Sequence, residues 1–560
     1  MKVLLIILGI IAFLAVCGVM QTIRSEKELL ARVSASFGAK VTEEMNPERY
    51  ASLRAYLSSL PERKTDIDEI TWNDLDLDRV FLEMNHTCSA IGEEVLFALL
   101  HRPEMSEKEL LRREAMSKLF MDSEEARTKA GRALLRMGKM RRISVYDYMM
   151  RLHSIPEEGN GKHYLALLSY LASVILMVVG QVTIGFGLFM LTALVNILLY
   201  LQRKGQIAPY LEVVSFITRW IRSVDKLTEE LSGIRNEALE QELELFKLHT
   251  GELRDFVRGS GFLAPANPAA GDITELLMEY IRMLFHVDLI KFNGMLRVFN
   301  EKQDVLLLLF EETGRMDAAR AIASYRTLKG SFSIPEFHAQ TTHTLMVEEV
   351  YHPLVESPVL NSIKAARPVL LTGSNASGKS TFLKTIAINA ILAQTIHTVL
   401  AKRYEGDFFH ILSSMALRDD LAAKESYYIV EIRSLKRIMD ASEEENSVLC
   451  FVDEVLRGTN TAERIAASSR ILRYLSEKQA LTFAATHDLE LTGLLGDVYD
   501  NYHFSEQVKE DRVVFDYCLK EGKATSRNAL KLLEMLEYPK EITVAANEAV
   551  EGFLTTGEWK

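Results

Sequence analysis

Residues 373–380, Gly-Ser-Asn-Ala-Ser-Gly-Lys-Ser, have the pattern of a phosphate-binding loop. The apolar run 368–372 before the loop predicts a buried strand, and residues 381–393 after it predict a helix. A strand, a glycine loop and a helix N-terminus surround a polyphosphate with backbone N–H groups and the positive end of the helix dipole. We therefore predict that this loop binds a nucleoside triphosphate.

The residues of the loop have separate expected roles. Gly373 and Gly378 allow the tight backbone path, and Lys379 is expected to reach the β- and γ-phosphates. The hydroxyl of Ser380 is expected to ligate Mg²⁺. The other predicted contacts to the nucleotide come from Ser374, Asn375, Ala376, Ser377 and Thr381.

Two further apolar runs end in residues that suit phosphate chemistry. Residues 447–454 end in Asp453, which is placed to hold Mg²⁺, and Glu454, which is placed to polarise an attacking water as general base. Residues 481–487 end in His487, whose imidazole would contact the γ-phosphate. A lone histidine at a strand end is more often structural, but its position after the Asp-Glu strand favours the catalytic interpretation. The three runs together predict hydrolysis of the nucleotide.

The composition narrows the possible partners. A formal net charge of −12 gives no overall basic character, so any contact to nucleic acid must come from local patches. The four cysteines are scattered without Cys-x-x-Cys spacing, which argues against a disulfide framework or a zinc site and suits a reducing compartment.

Two segments are apolar enough to predict membrane spans. Residues 3–20 are uninterrupted by charge, and no small-x-small cleavage site follows them, so we interpret them as an uncleaved anchor rather than a signal peptide. Leu14–Cys17 faintly resembles a lipoprotein site, although Val16 is large for the position before the cysteine. Residues 164–202 are long enough for two spans bent near Gly180–Gly185.

Positive charges predict the orientation of these spans. Arg24 follows the first span, Lys162 precedes the second, and Arg203 and Lys204 follow the third. All of them would lie on one side of the bilayer, which is the cytoplasmic side by the positive-inside rule. We therefore expect a multi-pass protein of the cell membrane whose large polar regions are cytoplasmic.

Three of these motifs together resemble a known family. Residues 372–381, 453–459 (Asp-Glu-Val-Leu-Arg-Gly-Thr) and 485–491 (Ala-Thr-His-Asp-Leu-Glu-Leu) resemble the ATPase domain of the MutS family, a branch of the ABC ATPases. Residues 426–432, Ser-Tyr-Tyr-Ile-Val-Glu-Ile, are similar to the family's signature segment, which delivers a serine to the nucleotide of the opposite subunit. The resemblance implies ATP as the nucleotide, a homodimer, and Ser426 as the residue that acts in trans.

The resemblance extends upstream. Residues 75–81 and 87–94 resemble the start of the family's core lever domain, and residues 315–317 and 332–337 resemble its end. It implies an α/β ATPase domain of the ABC-type P-loop NTPase class, preceded by an all-α lever domain that here carries transmembrane helices. The expected domains are an anchor at 1–22, helical regions at 23–162 and 203–335 around a membrane hairpin at 163–202, the ATPase domain at 336–545, and a tail at 546–560.

Departures from the family pattern limit what the resemblance implies. Ser374, Ala376 and Ser377 replace the usual Pro, Met and Gly of the loop, and Leu456 replaces a glycine after Asp-Glu. Residues 1–70 show no counterpart of the mismatch-reading domain with its Phe-x-Glu wedge. We therefore expect a membrane-anchored ATPase whose hydrolysis moves helical levers, coupled either to DNA without mismatch specificity or to an unidentified membrane partner. A DNA-binding repair protein that senses damage is the alternative.

Overall fold

The computed structural model describes residues 20, 24, 26–42, 44–139, 144–258, 280–374, 377–415, 427–456, 459–478, 480–509, 512–524, 533 and 538–556. The chain divides into two compact units. We call Met1–Pro61, Met84–Ala98 and Ala115–Leu328 the helical unit. We call Glu62–Glu83, Leu99–Glu114 and Lys329–Lys560 the α/β unit.

Helices account for most of the described residues. Residues 26–36 are helical. The labelled helices are α1 (Pro47–Leu57), α2 (Glu69–Asp74), α3 (Leu77–Met84), α4 (Ala90–His101), α5 (Glu107–Asp122), α6 (Glu124–Met137), α7 (Val145–Leu152), α8 (Gly161–Val178), α9 (Val182–Leu231), α10 (Glu237–Glu252), α11 (Arg254–Val257), α12 (Val287–Glu301), α13 (Gln303–Lys329), α14 (Lys379–Ile396), α15 (Tyr427–Ala441), α16 (Thr461–Ser476), α17 (Glu490–Leu494) and α18 (Lys540–Thr556).

Helices α8 and α9 form an apolar hairpin in the helical unit. The chain reverses at 179–181, where Gly180 adopts a φ of +92°, close to the predicted bend. Gly161–Val178 and Val182–Ala208 are long and apolar enough to cross a membrane, and 17% of each apolar window is buried. A core helix of a soluble protein is mostly buried. The predicted anchor at 3–20 lies outside the described residues, apart from Met20.

A buried carboxylate in the helical unit joins two segments that the motifs singled out. Asp317 on α13 accepts hydrogen bonds from the backbone N–H groups of Cys88 and Ser89 and from the Ser89 hydroxyl, at 2.6–3.1 Å. These donors lie immediately before α4, so the carboxylate satisfies groups at a helix start that would otherwise be unpaired. The segments 87–94 and 315–317, far apart in sequence, therefore meet in one core.

The α/β unit contains two sheets. The strands are β1 (Glu336–Phe337), β2 (Leu345–Val350), β3 (Asn361–Ala365), β4 (Val369–Thr372), β5 (Arg403–Gly406), β6 (His410–Ser414), β7 (Val448–Asp453), β8 (Ala480–Thr486), β9 (Asp500–Lys509) and β10 (Arg512–Glu521). A four-stranded sheet has the order β1-β5-β2-β3, and a six-stranded sheet has the order β10-β9-β4-β8-β7-β6. In the larger sheet β10 is antiparallel to β9 and the other strand pairs are parallel.

The core of the larger sheet explains its apolar strands. Strands β4 and β8 are buried along their whole length, as expected for parallel strands that are covered on both faces. Helix α2 packs at the β6 edge: Asp74 accepts hydrogen bonds from the Ser413 hydroxyl at 2.7 Å and from the Met415 N–H at 2.9 Å. The α/β unit therefore includes helical residues that lie far upstream of its strands in sequence.

Candidate nucleotide site

Three neighbouring parallel strands bring the predicted site residues to one edge of the larger sheet. The phosphate-binding loop follows β4, His487 follows β8, and Asp453 and Glu454 lie at the end of β7. Thr372 of β4 pairs with Thr486 of β8, and Asp453 of β7 pairs with Ala485 of β8. The carboxyl ends of the three strands are thus level, which is where ligands bind in open α/β sheets.

The described part of the loop has the backbone that its glycines predict. Gly373 and Gly378 have φ angles of +148° and +107°. A Cβ at Gly373 would lie 2.8 Å from the Phe504 carbonyl oxygen, so a side chain is excluded there. Helix α14 begins at Lys379, and its N-terminus faces the loop. Asn375 and Ala376 lie outside the described residues.

A cavity of about 510 Å³ adjoins the loop, which is within the range of roughly 300–1,000 Å³ for small-molecule sites. One wall is formed by residues 377–382, which include Lys379, Ser380 and Thr381, and Glu454 also lines the cavity. The Ser377 hydroxyl is buried and has no hydrogen-bond partner among the described residues. An unpaired buried hydroxyl beside a helix N-terminus suits a ligand rich in acceptor oxygens, such as a polyphosphate.

Lys379 lies inside the loop that it is predicted to serve. Its side chain is buried, and Nζ donates hydrogen bonds to the carbonyl oxygens of Gly373 and Ser374, both at 2.8 Å. The ammonium group is therefore already held within the curve of the loop, where a phosphate would gain a charge-assisted hydrogen bond.

His487 connects the loop after β4 to the acid after β7. Its Nδ1 lies 3.2 Å from the Gly373 carbonyl oxygen, and its Nε2 contacts Oε1 of Glu454. A carbonyl oxygen can only accept, so Nδ1 carries a proton in this contact. The Nε2 contact places the imidazole directly against the Glu454 carboxylate. The structure thus brings together Gly373, Glu454 and His487.

The predicted roles of Asp453 and Ser426 are not tested by these contacts. Asp453 is half-buried at the end of β7, one residue before Glu454, and does not line the cavity. Ser426 lies outside the described residues, which resume at α15. Their predicted roles, as a Mg²⁺ ligand and as a residue acting in trans, stay predictions.

Residues 369–553 match the family model of MutS domain V. In this region the chain is similar to domain V of the MutS family. The region includes the loop, the Asp-Glu strand and His487, so the resemblance that these motifs predicted is confirmed.

Individual relatives match over part of their length. The chain is 30% identical to the DNA mismatch repair protein MutS of Natronomonas pharaonis over 252 residues, which are 42% of this chain and 29% of the relative. It is 30% identical to the protein of the same name from Thermus thermophilus over 259 residues, 44% of this chain and 32% of the relative. It is 29% identical to human MutS protein homolog 4 over 297 residues, 49% and 31% of the two chains. The chain therefore spans about a third of the length of these curated relatives.

Two of the departures from the MutS pattern, Ser374 and Leu456, have local partners in the structure. The hydroxyl of Ser374, which stands where the family has proline, donates to Oε2 of Glu506 on β9. Leu456, which stands where the family has glycine, adopts a φ of +59°. Its N–H donates to Oε1 of Glu431 on α15, and its side chain is buried.

Sequence reasoning missed other residues that line the cavity. Tyr517 on β10 lies at an irregularity in the β9–β10 pairing with a φ of +51°, and its ring approaches Gly378. Asn361 on β3 holds this irregularity, because its side chain donates to the Tyr517 carbonyl at 3.0 Å and accepts from the Leu519 N–H at 2.8 Å. Burial lowers the pKa of His352, another wall residue, to about 4. It is therefore neutral at physiological pH.

Proposed function

We propose that this chain is a membrane-anchored ATPase of the MutS family, which binds and hydrolyses ATP at a dimer interface and uses hydrolysis to move its helical region. The observation that carries the proposal is the convergence of the loop after β4, Glu454 after β7 and His487 after β8 on one sheet edge. That arrangement suits phosphoryl transfer, in which positioning and charge stabilisation supply most of the catalysis.

The residues of the site have the chemistry that hydrolysis needs. Lys379 would exchange its loop carbonyls for the β- and γ-phosphate oxygens, and the Ser377 hydroxyl would gain an acceptor. Ser380 and Asp453 would hold Mg²⁺, which neutralises charge on the phosphates when it is bound. Glu454 would accept a proton from the attacking water, and His487 would orient the Glu454 carboxylate and contact the γ-phosphate.

Membrane anchoring rests on a separate observation. The α8–α9 hairpin presents large apolar side chains on its outer surface, such as Leu168, Val178 and Leu194, which are 57–81% exposed. In water such a surface would be unfavourable, whereas a bilayer would cover it. The positive flanks identified in the sequence support a cytoplasmic location for both polar regions, where ATP is available. A homodimer follows from the role proposed for Ser426.

ATP binding and hydrolysis are tested by two substitutions with different expected effects. Glu454→Gln should retain ATP while turnover falls by roughly two to four orders of magnitude, as expected for the loss of a general base. Lys379→Ala should instead weaken ATP binding. The control is Glu477→Gln at the exposed end of α16, which should change neither quantity. Wild-type turnover by the Glu454→Gln protein would refute the role of Glu454.

A mismatch-repair-type DNA function is the second candidate, because relatives of the matched region are named DNA mismatch repair proteins. We expect any DNA binding to be weak, salt-sensitive and indifferent to mismatches, since phosphate contacts carry no sequence information. Duplex binding should be measured at two salt concentrations with matched and mismatched DNA. A mismatch preference of about tenfold at physiological salt, the scale of one base contact, would favour the second candidate.

A further inference from the structure

A bidentate ion pair lies directly beside the residues proposed to act on the γ-phosphate. Arg464 donates from Nε to Oδ2 of Asp488 at 2.8 Å and from a terminal nitrogen to Oδ1 at 2.7 Å. The two parallel hydrogen bonds fix both the distance and the orientation of the carboxylate. The Arg464 and Asp488 side chains are 24% and 13% exposed, so water only partly screens the pair.

The pair joins the two segments that carry the proposed catalytic side chains. Asp488 directly follows His487, and its N–H donates to the Thr486 hydroxyl at 3.0 Å. Arg464 lies in the first turn of α16, the helix that follows the Asp-Glu loop. The pKa of Arg464 is raised, chiefly by the hydrogen bonds to Asp488, with a smaller contribution from the charge of Glu454.

We propose that Arg464 and Asp488 are positioning residues, which hold the backbone at His487 so that its imidazole stays between the Gly373 carbonyl and the Glu454 carboxylate. The inference rests on the proposed ATPase function and deepens it. Neither Arg464 nor Asp488 lines the cavity, so both would act through His487 and not on the nucleotide itself. Without the pair, the backbone that carries His487 keeps fewer restraints, and its ring samples positions away from Glu454.

Helix α16 carries a second bidentate ion pair, which lies at the end away from the Asp-Glu loop and serves as the control. Arg473, on the same helix, makes a bidentate pair with Asp497 at 2.7 and 2.8 Å. Both pairs span 24 residues and join α16 to the segment after β8. Arg473 lies at the other end of the helix from the Asp-Glu loop, and Asp497 is 61% exposed. A pair that only fastens the helix should behave like Arg473–Asp497.

The experiment compares Arg464→Gln and Asp488→Asn with Arg473→Gln and Asp497→Asn in the purified full-length protein. The first two should lower kcat about ten- to a hundredfold, the scale expected when a catalytic group moves by about 1 Å. Their KM for ATP should change less than about twofold, because the phosphate loop is intact. The second two should leave kcat unchanged. Arg464→Lys, which keeps the charge and loses the fork, should lie between Arg464→Gln and the wild type.

Two further measurements test whether the loss of kcat in Arg464→Gln depends on His487. In a His487→Ala background, Arg464→Gln should add no further loss of kcat, because the group that it positions is already absent. Amide hydrogen exchange of the peptide 484–492, which requires no turnover, should accelerate in Arg464→Gln and not in Arg473→Gln.

The results distinguish failure of the proposed ATPase function from failure of the positioning role of Arg464 and Asp488. A wild-type protein that neither binds nor hydrolyses ATP refutes the proposed function and this inference with it. A wild-type protein that hydrolyses ATP, with equal kcat values for Arg464→Gln and Arg473→Gln, refutes the inference alone. The same holds if Arg464→Gln lowers kcat as strongly in the His487→Ala background as in the wild type.

Discussion

Leu456 has a strained backbone and a buried side chain. Mutation can separate the effects of strain and of burial on the free energy of unfolding. The Leu456 φ of +59° lies in the left-handed region, which costs an L-residue about 1–2 kcal/mol. Its side chain is 5% exposed and belongs to the core cluster that also contains Leu370, Val452 and Leu472. Replacing a buried leucine by alanine costs about 2–5 kcal/mol through lost burial and the remaining cavity.

We expect both Leu456→Ala and Leu456→Gly to destabilise the α/β unit, with alanine the worse of the two. Both lose the buried side chain, but only glycine also relieves the left-handed strain. Against that gain, glycine loses about 0.5–1 kcal/mol relative to alanine through the greater freedom of its unfolded chain. The balance leaves Leu456→Gly about 0.5–1 kcal/mol more stable than Leu456→Ala.

Leu472 provides the matched control, because it is fully buried in the same cluster but lies within helix α16. There glycine should be less stable than alanine by about 1 kcal/mol. The order of the two substitutions is therefore opposite at the two leucines, a contrast of about 1.5–2 kcal/mol.

The unfolding of the α/β unit can be followed by the fluorescence of Trp72, which is buried and stacks on His101 at 3.6 Å. Replacing Trp220 and Trp559 by phenylalanine leaves Trp72 as the only tryptophan of the chain. Denaturant midpoints of the four leucine variants then give the order. If alanine is more stable than glycine at position 456 as well as at 472, the strain argument is wrong.

Three further predictions concern other parts of the chain. Burial raises the pKa of Glu94 from 4.5 to about 8, although donors at the start of α7 partly oppose this. The folded state thus favours the neutral acid, and stability present below pH 4.5 is lost as the pH rises towards 8; unfolding curves from pH 5 to 8 should show this loss for the wild type and not for Glu94→Gln. In a chain without its native cysteines, an impermeant reagent applied to intact cells should label a cysteine at Thr183 and not one at Ala208 if the hairpin spans the membrane. Mixed Ser426→Ala and Lys379→Ala proteins should recover about one working site per heterodimer, whereas turnover per chain that stays constant on dilution to monomer would contradict the trans role.

Local signals predicted the elements of the nucleotide site well. The runs 368–372, 447–454 and 481–487 correspond to β4 (Val369–Thr372), β7 (Val448–Asp453) and β8 (Ala480–Thr486). Each is an apolar stretch in a covered parallel strand, and such a stretch is visible in a single sequence. The mixed α/β fold with a helical region is confirmed, and the apolar hairpin bends where glycine predicted. Periodicity alone does not give strand order, so only the structure shows that β4, β8 and β7 are neighbours.

Contacts between distant segments could not be predicted. Asn361 reaches Tyr517 across 156 residues, and Asp74 reaches Ser413 across 339. In each case an ordinary polar residue gains its importance only from a partner that folding brings close, so no local pattern marks it. Tyr517 is harder still, because it reaches the cavity through an irregularity in strand pairing. An irregularity in strand pairing depends on the register of the two strands, and the alternation of apolar and polar residues does not fix that register to within one residue.

A glycine at position 456, as in the family, adopts a left-handed φ without strain. The leucine of this chain is strained there, so other contacts must stabilise its backbone conformation. Two contacts do so: the side chain fills the core beside β7, and the N–H donates to Glu431. Glu431 lies on α15, which begins one residue after Ser426. If Ser426 serves the nucleotide of the opposite subunit, as we propose, then this hydrogen bond connects the segment that acts in trans to the loop that carries Glu454. A shift of α15 on dimer formation would have to break this bond or move Leu456 with it. In either case the shift would act on the backbone two residues after Glu454, where the Leu456 N–H is held by Glu431 and its side chain by the core.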